Sequence, residues 1–89
     1  MKQHEFIWFI KQYSYDDIHM LDNGDTVVKI KSLLLIHRDG LLIIRFVDFN
    51  ENYIIPDRKQ LDLIMNIIKS SSNFIHKVYT HCKEHLVKQ

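Results

Sequence analysis

The chain has 89 residues, which is enough for one domain, because a second hydrophobic core would leave each half too small to bury its surface. Hydrophobic residues make up 46% of it and charged residues 26%, a composition that excludes an intrinsically disordered chain. Its 12 basic and 11 acidic residues nearly balance, which argues against general nucleic-acid binding, since phosphate neutralisation needs a cationic excess. We therefore expect a single domain over residues 1–89.

Cysteine usage and the lengths of the apolar runs predict a cytoplasmic protein. Cys82 is the single cysteine, so no internal disulfide can form and an oxidising compartment would add nothing to stability. The apolar run Phe6–Ile10 is too short for the hydrophobic region of a signal peptide. No run approaches the roughly 18–20 apolar residues of a membrane span, so we expect no membrane association.

Amino-acid usage also indicates the origin of the gene. The chain has no alanine, two glycines and one proline, whereas isoleucine and lysine are abundant. Alanine, glycine and proline have GC-rich codons, and isoleucine and lysine have AT-rich ones. We therefore expect an AT-rich source genome, such as that of a low-GC bacterium, a mobile element or a virus.

The first elements in chain order are an apolar segment and a short helix. Residues 5–13 contain consecutive aromatic and β-branched side chains, which predict a buried strand, although their periodicity also admits a helix. Ser14 is followed three residues later by Asp17, a spacing that resembles a capping box and predicts a short helix. That helix must end before the turn sequence Asp22–Asp25.

The middle of the chain predicts an antiparallel meander of three strands. Two apolar runs, Thr26–His37 and Leu41–Phe49, lie on either side of Asp39-Gly40, a pair typical of a two-residue hairpin turn. A third strand, Tyr53–Ile55, follows a turn at residues 50–52 and ends at Pro56. The turn also fixes the cross-strand pairs. One of them, Lys31 with Asp48, brings opposite charges together, which supports the register. These pairs are Ile36 with Ile43, Leu34 with Arg45, Leu33 with Phe46, and Lys31 with Asp48.

Two helices are predicted at the C-terminal end. Pro56-Asp57 is typical of a helix start, and apolar residues then recur at spacings of three and four. The first stripe consists of Leu61, Ile64, Met65 and Ile68. Polar residues 70–73 interrupt the pattern and provide a new N-cap. The second stripe consists of Ile75, Val78, Tyr79, Cys82 and Leu86. The expected fold is α+β, a small antiparallel sheet, made of the N-terminal strand and the three-stranded meander, packed by the two C-terminal helices.

No residue pattern predicts catalysis or a cofactor. Both glycines lie in turns, so no glycine-rich phosphate loop can form, and no glycine elbow surrounds a serine. Cys82 lies on an apolar stripe and is expected to be buried. His81 and His85 have the one-turn spacing of paired metal ligands, but no glutamate adjoins His81 and no second Cys/His pair is present. We expect no enzyme activity, no cofactor and no metal, with these histidines at the rim of the core.

The meander carries the first predicted interaction surface. Both faces of the predicted hairpin are apolar near the turn, whereas an antiparallel sheet usually has one polar face. One face carries Ile30, Leu34, Ile36, Ile43, Val47 and Phe49. The opposite face carries Leu33, Leu35, Ile44 and Phe46. Two helices can cover only one face, so we expect the face of Leu33, Leu35, Ile44 and Phe46 to be covered by the N-terminal segment, by a second copy of the chain or by another protein.

An acidic cluster is the second predicted interaction surface, and its members fall within ten residues. They are Asp16, Asp17, Asp22 and Asp25. Such a cluster is usually a solvated surface, and the alternative is a site for a basic partner. The segment from Lys69 to the end has the opposite bias, with four lysines and one acid.

These observations predict a small non-enzymatic protein that acts by binding another protein. Its AT-rich coding indicates an accessory factor of a phage or mobile element. Such a factor would inhibit a host nuclease or defence system, or neutralise a toxin as an immunity protein. The alternative function is a nucleic-acid-binding regulator that uses the basic C-terminal helix.

Overall fold

The computed structural model describes all 89 residues as three α-helices, six β-strands and one 3₁₀ turn. The helices are α1 (Gln3–Ile10), α2 (Arg58–Ser70) and α3 (Phe74–His85). The strands are β1 (Asp17–Met20), β2 (Thr26–Ile30), β3 (Leu33–Arg38), β4 (Leu41–Phe46), β5 (Glu51–Ile55) and β6 (Val87–Lys88), and the 3₁₀ turn is Val47–Phe49. The predicted α+β class is confirmed. No helix has the length and apolar composition that crossing a membrane requires.

All six strands form one antiparallel sheet in the order of the chain, so each strand pairs with its neighbours in sequence. The β3–β4 hairpin has the predicted register, with Ile36 opposite Ile43 and Leu33 opposite Phe46. Asp39 and Gly40 have φ angles of 50° and 78°, as a two-residue type I′ turn requires. The Asp-Gly turn therefore sets the alignment of the two central strands.

The three helices lie on one face of the sheet, which we call the core face. The amphipathic pattern places Leu61, Ile64 and Met65 of α2 against it, together with Val78 and Cys82 of α3. These side chains join those of the core face in one cluster of 18 buried residues. The predicted packing of two C-terminal helices on the sheet is therefore confirmed. An aspartate cap begins α2, because the Asp57 carboxylate accepts a hydrogen bond from the backbone N–H of Gln60 at 2.9 Å.

The N-terminal segment forms a helix where the sequence predicts a strand over residues 5–13. Phe6, Phe9 and Ile10 are the buried residues of α1, and their spacing of three and four gives the helix one apolar side. Trp8 lies on the other side of α1 and is 64% exposed. The helical arrangement buries three large side chains in the core, and this packing outweighs the β propensity of the segment.

A strand also replaces the short helix expected after Ser14. The segment Asp17–Met20 forms β1 and pairs with β2, so the sheet begins with an N-terminal strand that lies later in the chain than predicted. The Asp16 carboxylate accepts a hydrogen bond from the backbone N–H of Lys31 at 2.6 Å. It therefore supports the turn between β2 and β3 instead of capping a helix.

The run Thr26–His37 is two strands instead of one. Lys31 has a φ of 55°, in the left-handed region, and the chain reverses there so that Ile30 pairs with Leu33. The predicted pair between Lys31 and Asp48 does not form, because Lys31 lies in this turn and Asp48 in the 3₁₀ turn. The meander consequently has one strand more than the sequence predicts.

Candidate functional site

The four hydrophobic residues predicted as an interaction surface lie in the core instead. Leu33, Leu35 and Ile44 are 0% exposed and Phe46 is 1% exposed. All four belong to the core cluster that the three helices cover. They cannot contact another protein while the chain is folded, so the open surface of the sheet must be its opposite side. We call that side the outer face.

An apolar row crosses the outer face from β2 to β6. The pairing of neighbouring strands places one residue of each strand in this row: Val27, Ile36, Ile43, Ile54 and Val87. None of these residues belongs to the core cluster or packs against it. Four strand spacings of about 4.8 Å give the row a length of roughly 19 Å.

The burial of the apolar row is greatest at its centre. Ile43 is 1% exposed although no helix lies over it, and Ile36 and Ile54 are its cross-strand neighbours. Val87, at the β6 end, is 70% exposed. The row is therefore a continuous apolar strip that the sheet itself shields in the middle and leaves open at the end.

A mostly polar row runs beside the apolar row on the same face, two residues away from it along β2, β3, β4 and β5. Its members are Asp17, Lys29, Leu34, Arg45 and Asn52. Two asparagines hold the Arg45 guanidinium in place, because Nη1 donates to Asn52 Oδ1 at 2.9 Å and Nη2 donates to Asn50 Oδ1 at 2.7 Å. Lys29 is exposed and, like Arg45, makes no ion pair, so together with the Asp17 carboxylate opposite Lys29 this margin of the outer face carries one net positive charge.

The opposite margin of the apolar row is electrically neutral. Arg38 Nε donates to Asp25 Oδ2 at 2.9 Å, and the Asp25 carboxylate also accepts from the Asn23 side chain. Leu41 pairs with Arg38 across the β3–β4 hairpin and is 38% exposed. The outer face thus has an apolar centre, one cationic margin and one neutral margin.

The acidic residues predicted as a second surface do not form one patch. Asp16 and Asp17 lie at the start of β1, whereas Asp22 and Asp25 lie in the turn after its end. Asp25 is buried at 4% exposure and paired with a cation, and Asp16 is bonded to the turn between β2 and β3. Asp17 lies 2.7 Å from the imidazole of the neighbouring His19. Only Asp22 is left without a partner, so the structure divides the predicted cluster.

The lysines of the C-terminal segment are also dispersed. Lys69 ends α2, and Lys77 and Lys83 lie six residues apart on α3, which places them on different sides of that helix. Lys88 lies on β6, with its Nζ 3.5 Å from a carboxylate oxygen of Glu51. No single basic face results.

The reactive side chains of α3 are held in unreactive surroundings. Cys82 is fully buried, and burial raises the pKa of its thiol to about 12. The rings of His81 and His85 lie 4.9 Å apart, and His81 Nε2 lies 2.8 Å from the side-chain oxygen of Gln60. Burial, followed by the effect of His85, lowers the pKa of His81. No group of three His, Cys, Asp or Glu side chains converges around this pair.

A carboxylate network that the sequence does not predict fixes the β6 end of the sheet. Glu51 accepts hydrogen bonds from the hydroxyls of Tyr53 at 2.7 Å and Tyr79 at 3.0 Å, and Lys88 adds the ion pair. Donation by Tyr53, then Tyr79, lowers the pKa of Glu51, and the same bonds raise the pKa of both tyrosines. Tyr79 is 28 residues from Glu51, so no local pattern could reveal the network. It joins α3, β5 and β6 and thereby holds Val87 at the end of the apolar row.

Comparison of the chain with known protein families, with curated proteins and with solved structures finds no match.

Proposed function

We propose that this protein acts without catalysis, by binding another protein through the outer face of its sheet. The observation that carries the proposal is the apolar row, which crosses five strands on a side that no helix covers. Protein interfaces combine an apolar centre with a polar rim, and the outer face has this arrangement. Lys29 and Arg45 supply charge at one margin, where they would steer an acidic partner and align it.

The biological role that we propose is that of a cytoplasmic accessory factor of a phage or mobile element. It would inhibit a host protein or neutralise a toxin by occupying a surface that the target needs. A chain of this size has enough surface for this role, because a standard interface takes only about 800 Å² from each partner. That area is roughly a seventh of the total accessible surface of 5488 Å². The amino-acid usage, which is typical of AT-rich coding, supports the proposed origin.

Capture of proteins from a lysate of the native host, with matched surface variants as bait, tests the proposal. Ile36→Asp places a charge in the apolar row, and Lys29→Glu reverses a charge at an exposed position beside it. Trp8→Asp is the control, because Trp8 is exposed on the helical layer. We expect the wild type and Trp8→Asp to capture the same protein, and both outer-face variants to lose most of it.

The contrary pattern would overturn the proposal. It would consist of capture that survives both outer-face changes and is lost with Trp8→Asp. Circular dichroism of each bait is needed beside the capture, because an unfolded bait would lose its partner for a trivial reason. Lys29→Glu protects the test in that event, since an exposed lysine can be changed with little effect on folding.

A further inference from the structure

We infer that this protein binds a divalent transition-metal ion, of the class of Zn²⁺ and Ni²⁺, through the imidazoles of His81 and His85 and the side-chain oxygen of Gln60. The inference goes beyond the proposed function, because it concerns the helical layer and not the outer face of the sheet. The sequence predicts no metal at this histidine pair, since it shows no third ligand beside it. The fold supplies that ligand from a position 21 residues away.

The two imidazoles have the spacing that a shared ion requires. His81 and His85 lie one turn apart on α3, which places them on the same side of the helix. Their ring centres are 4.9 Å apart. With metal–nitrogen bonds of about 2.0–2.1 Å, two rings on one ion have centres about 4.5 Å apart at a right angle and about 5.2 Å apart at the tetrahedral angle. The observed spacing lies between these values, so the rings are already at chelating distance.

Gln60 brings an oxygen ligand from the neighbouring helix α2. Its Oε1 lies 2.8 Å from His81 Nε2, and both residues are half-buried. A nitrogen and an oxygen on the same ion lie about 3.0–3.4 Å apart, so an outward shift of about 0.2–0.6 Å admits the ion. In the absence of the ion, a neutral His81 ring donates its Nε2 proton to Gln60. When the ion binds, the ring carries its proton on Nδ1 instead, and the lone pair of Nε2 is free to coordinate.

The types of ligand select the class of ion. Imidazole suits Zn²⁺ and Ni²⁺, whereas Mg²⁺ and Ca²⁺ take oxygen ligands. Water would complete the coordination, as it does where a protein leaves positions open. Two charges lie beside the pair and offset each other: the Glu84 carboxylate is 3.9 Å from His85 Nε2, and Lys77 lies one turn before His81 on the same side of α3.

The small number of protein ligands sets a moderate affinity. Two imidazoles supply about half the binding free energy of a structural zinc site with four protein ligands, which corresponds to a dissociation constant of roughly 1–200 µM. Apolar side chains form the core, so we expect the ion to stabilise the folded chain without being required for folding. At a free-ion concentration about ten times the dissociation constant, mass action should raise the melting temperature by roughly 6–11 °C.

Isothermal titration calorimetry of the full chain with ZnCl₂ and with NiCl₂, at about pH 7.5 where histidine is mostly uncharged, is the first test. We expect the wild type to bind both ions and not MgCl₂. His81→Asn and His85→Asn should each bind about tenfold more weakly or worse, because one ligand of the chelate is lost. His76→Asn is the matched control and should bind like the wild type, since His76 lies five residues before His81 and on another side of α3.

Two outcomes of the titration would overturn the inference. One is a wild type that binds neither ion at about 1 mM, above the expected dissociation constant. The other is a His85→Asn variant that binds as tightly as the wild type. The side chain of His85 is 57% exposed, so this variant should fold even if His81→Asn does not.

Gln60→Glu tests the contribution of α2. The change places a carboxylate oxygen where the amide oxygen lies, and carboxylates are the oxygen ligands that zinc prefers, so the affinity for Zn²⁺ should rise about tenfold. Glutamate is favoured at this third position of a helix, so the variant should fold. Asn66→Asp is the matched control, because it adds the same charge at an exposed position of α2, and its affinity should stay within about twofold of the wild type. Equal affinities of the two variants would show that α2 does not reach the ion and would overturn the three-ligand site.

Partner capture separates the metal site from the proposed function. The helices lie on the core face, so His85→Asn should capture the partner like the wild type. A wild type that binds no ion, with capture that is lost in Lys29→Glu, refutes the metal site and supports the function. Ion binding that depends on His85, with capture that ignores every outer-face change, supports the metal site and refutes the function.

Discussion

Alanine at Leu35 and at Ile36 should have very different effects on stability, although the two residues are neighbours on β3. Leu35 points into the core and is 0% exposed, whereas Ile36 lies in the apolar row on the outer face and is half-buried. Isoleucine has a higher β propensity than leucine, so loss of propensity alone would make Ile36→Ala the costlier change. The difference between them therefore reports the face on which each side chain lies.

The structure gives the size of the expected difference. Leucine-to-alanine changes at fully buried sites cost about 2–5 kcal/mol, because a cavity remains. At Ile36 the lost side chain is partly hydrated already, so we expect about 1 kcal/mol. A chain of 89 residues has a total stability of roughly 4–13 kcal/mol. Leu35→Ala should thus lower the melting temperature by roughly 8–40 °C, and Ile36→Ala by about 4–8 °C.

Urea unfolding followed by circular dichroism measures both variants. The protein should be at about 1 µM, a low concentration that keeps self-association from adding to the cost of Ile36→Ala. The slope of the free energy of unfolding against urea should stay constant, which shows that the unfolded state is unchanged. An Ile36→Ala variant that loses as much stability as Leu35→Ala would refute the assignment of the two faces.

The remaining predictions concern two groups that the helices cover, Glu51 and Cys82. Glu51 has a pKa below its usual value of 4.5, so its charge stabilises the folded chain above that pH, and the stabilisation is lost as the pH falls through the lower, folded-state pKa. The free energy of unfolding should therefore fall more steeply with decreasing pH in the wild type than in Glu51→Gln. Parallel pH profiles of the two proteins would contradict the network. The thiol of Cys82 should react with a thiol-specific reagent only after denaturation, because its pKa is about 12 and its side chain is buried. Cys82→Ser should cost about 1–3 kcal/mol by burying a hydroxyl, and should leave partner capture intact. Fast labelling of the native protein would argue against this burial.

The elements that the sequence predicts correctly are those with local signals. The turn residues Asp39 and Gly40 have side chains or backbone freedom suited to positive φ, so they set the β3–β4 register without help from the rest of the chain. Asp57 caps α2 within three residues of its own position. The stripes of α2 and α3 repeat at helical spacing over several turns, and a long amphipathic pattern leaves little doubt about the element.

The N-terminal segment fails as a prediction because its local signal is ambiguous. Five consecutive apolar residues show neither the period of a strand nor that of a helix. The choice depends on where the other elements leave space, and α1 fills the core face with Phe6, Phe9 and Ile10. The ring of Phe6 stacks at 5.5 Å on that of His37, a residue 31 positions away. A contact of this range is not readable from neighbouring residues.

The turn at Lys31 and Ser32 changes which residues of the run Thr26–His37 share a face. Side chains alternate along an uninterrupted strand, so a single strand over Thr26–His37 would put Ile30 on the same side as Leu34. The turn reverses the chain and pairs Ile30 with Leu33, which moves Ile30 to the core face. The Lys31-Ser32 pair within an apolar run is the signal that would have indicated this turn. Even so, pairing fixes only which residues share a face. The helices decide which face is covered, through contacts between residues far apart in the chain, so the outer face could be identified only from the folded structure.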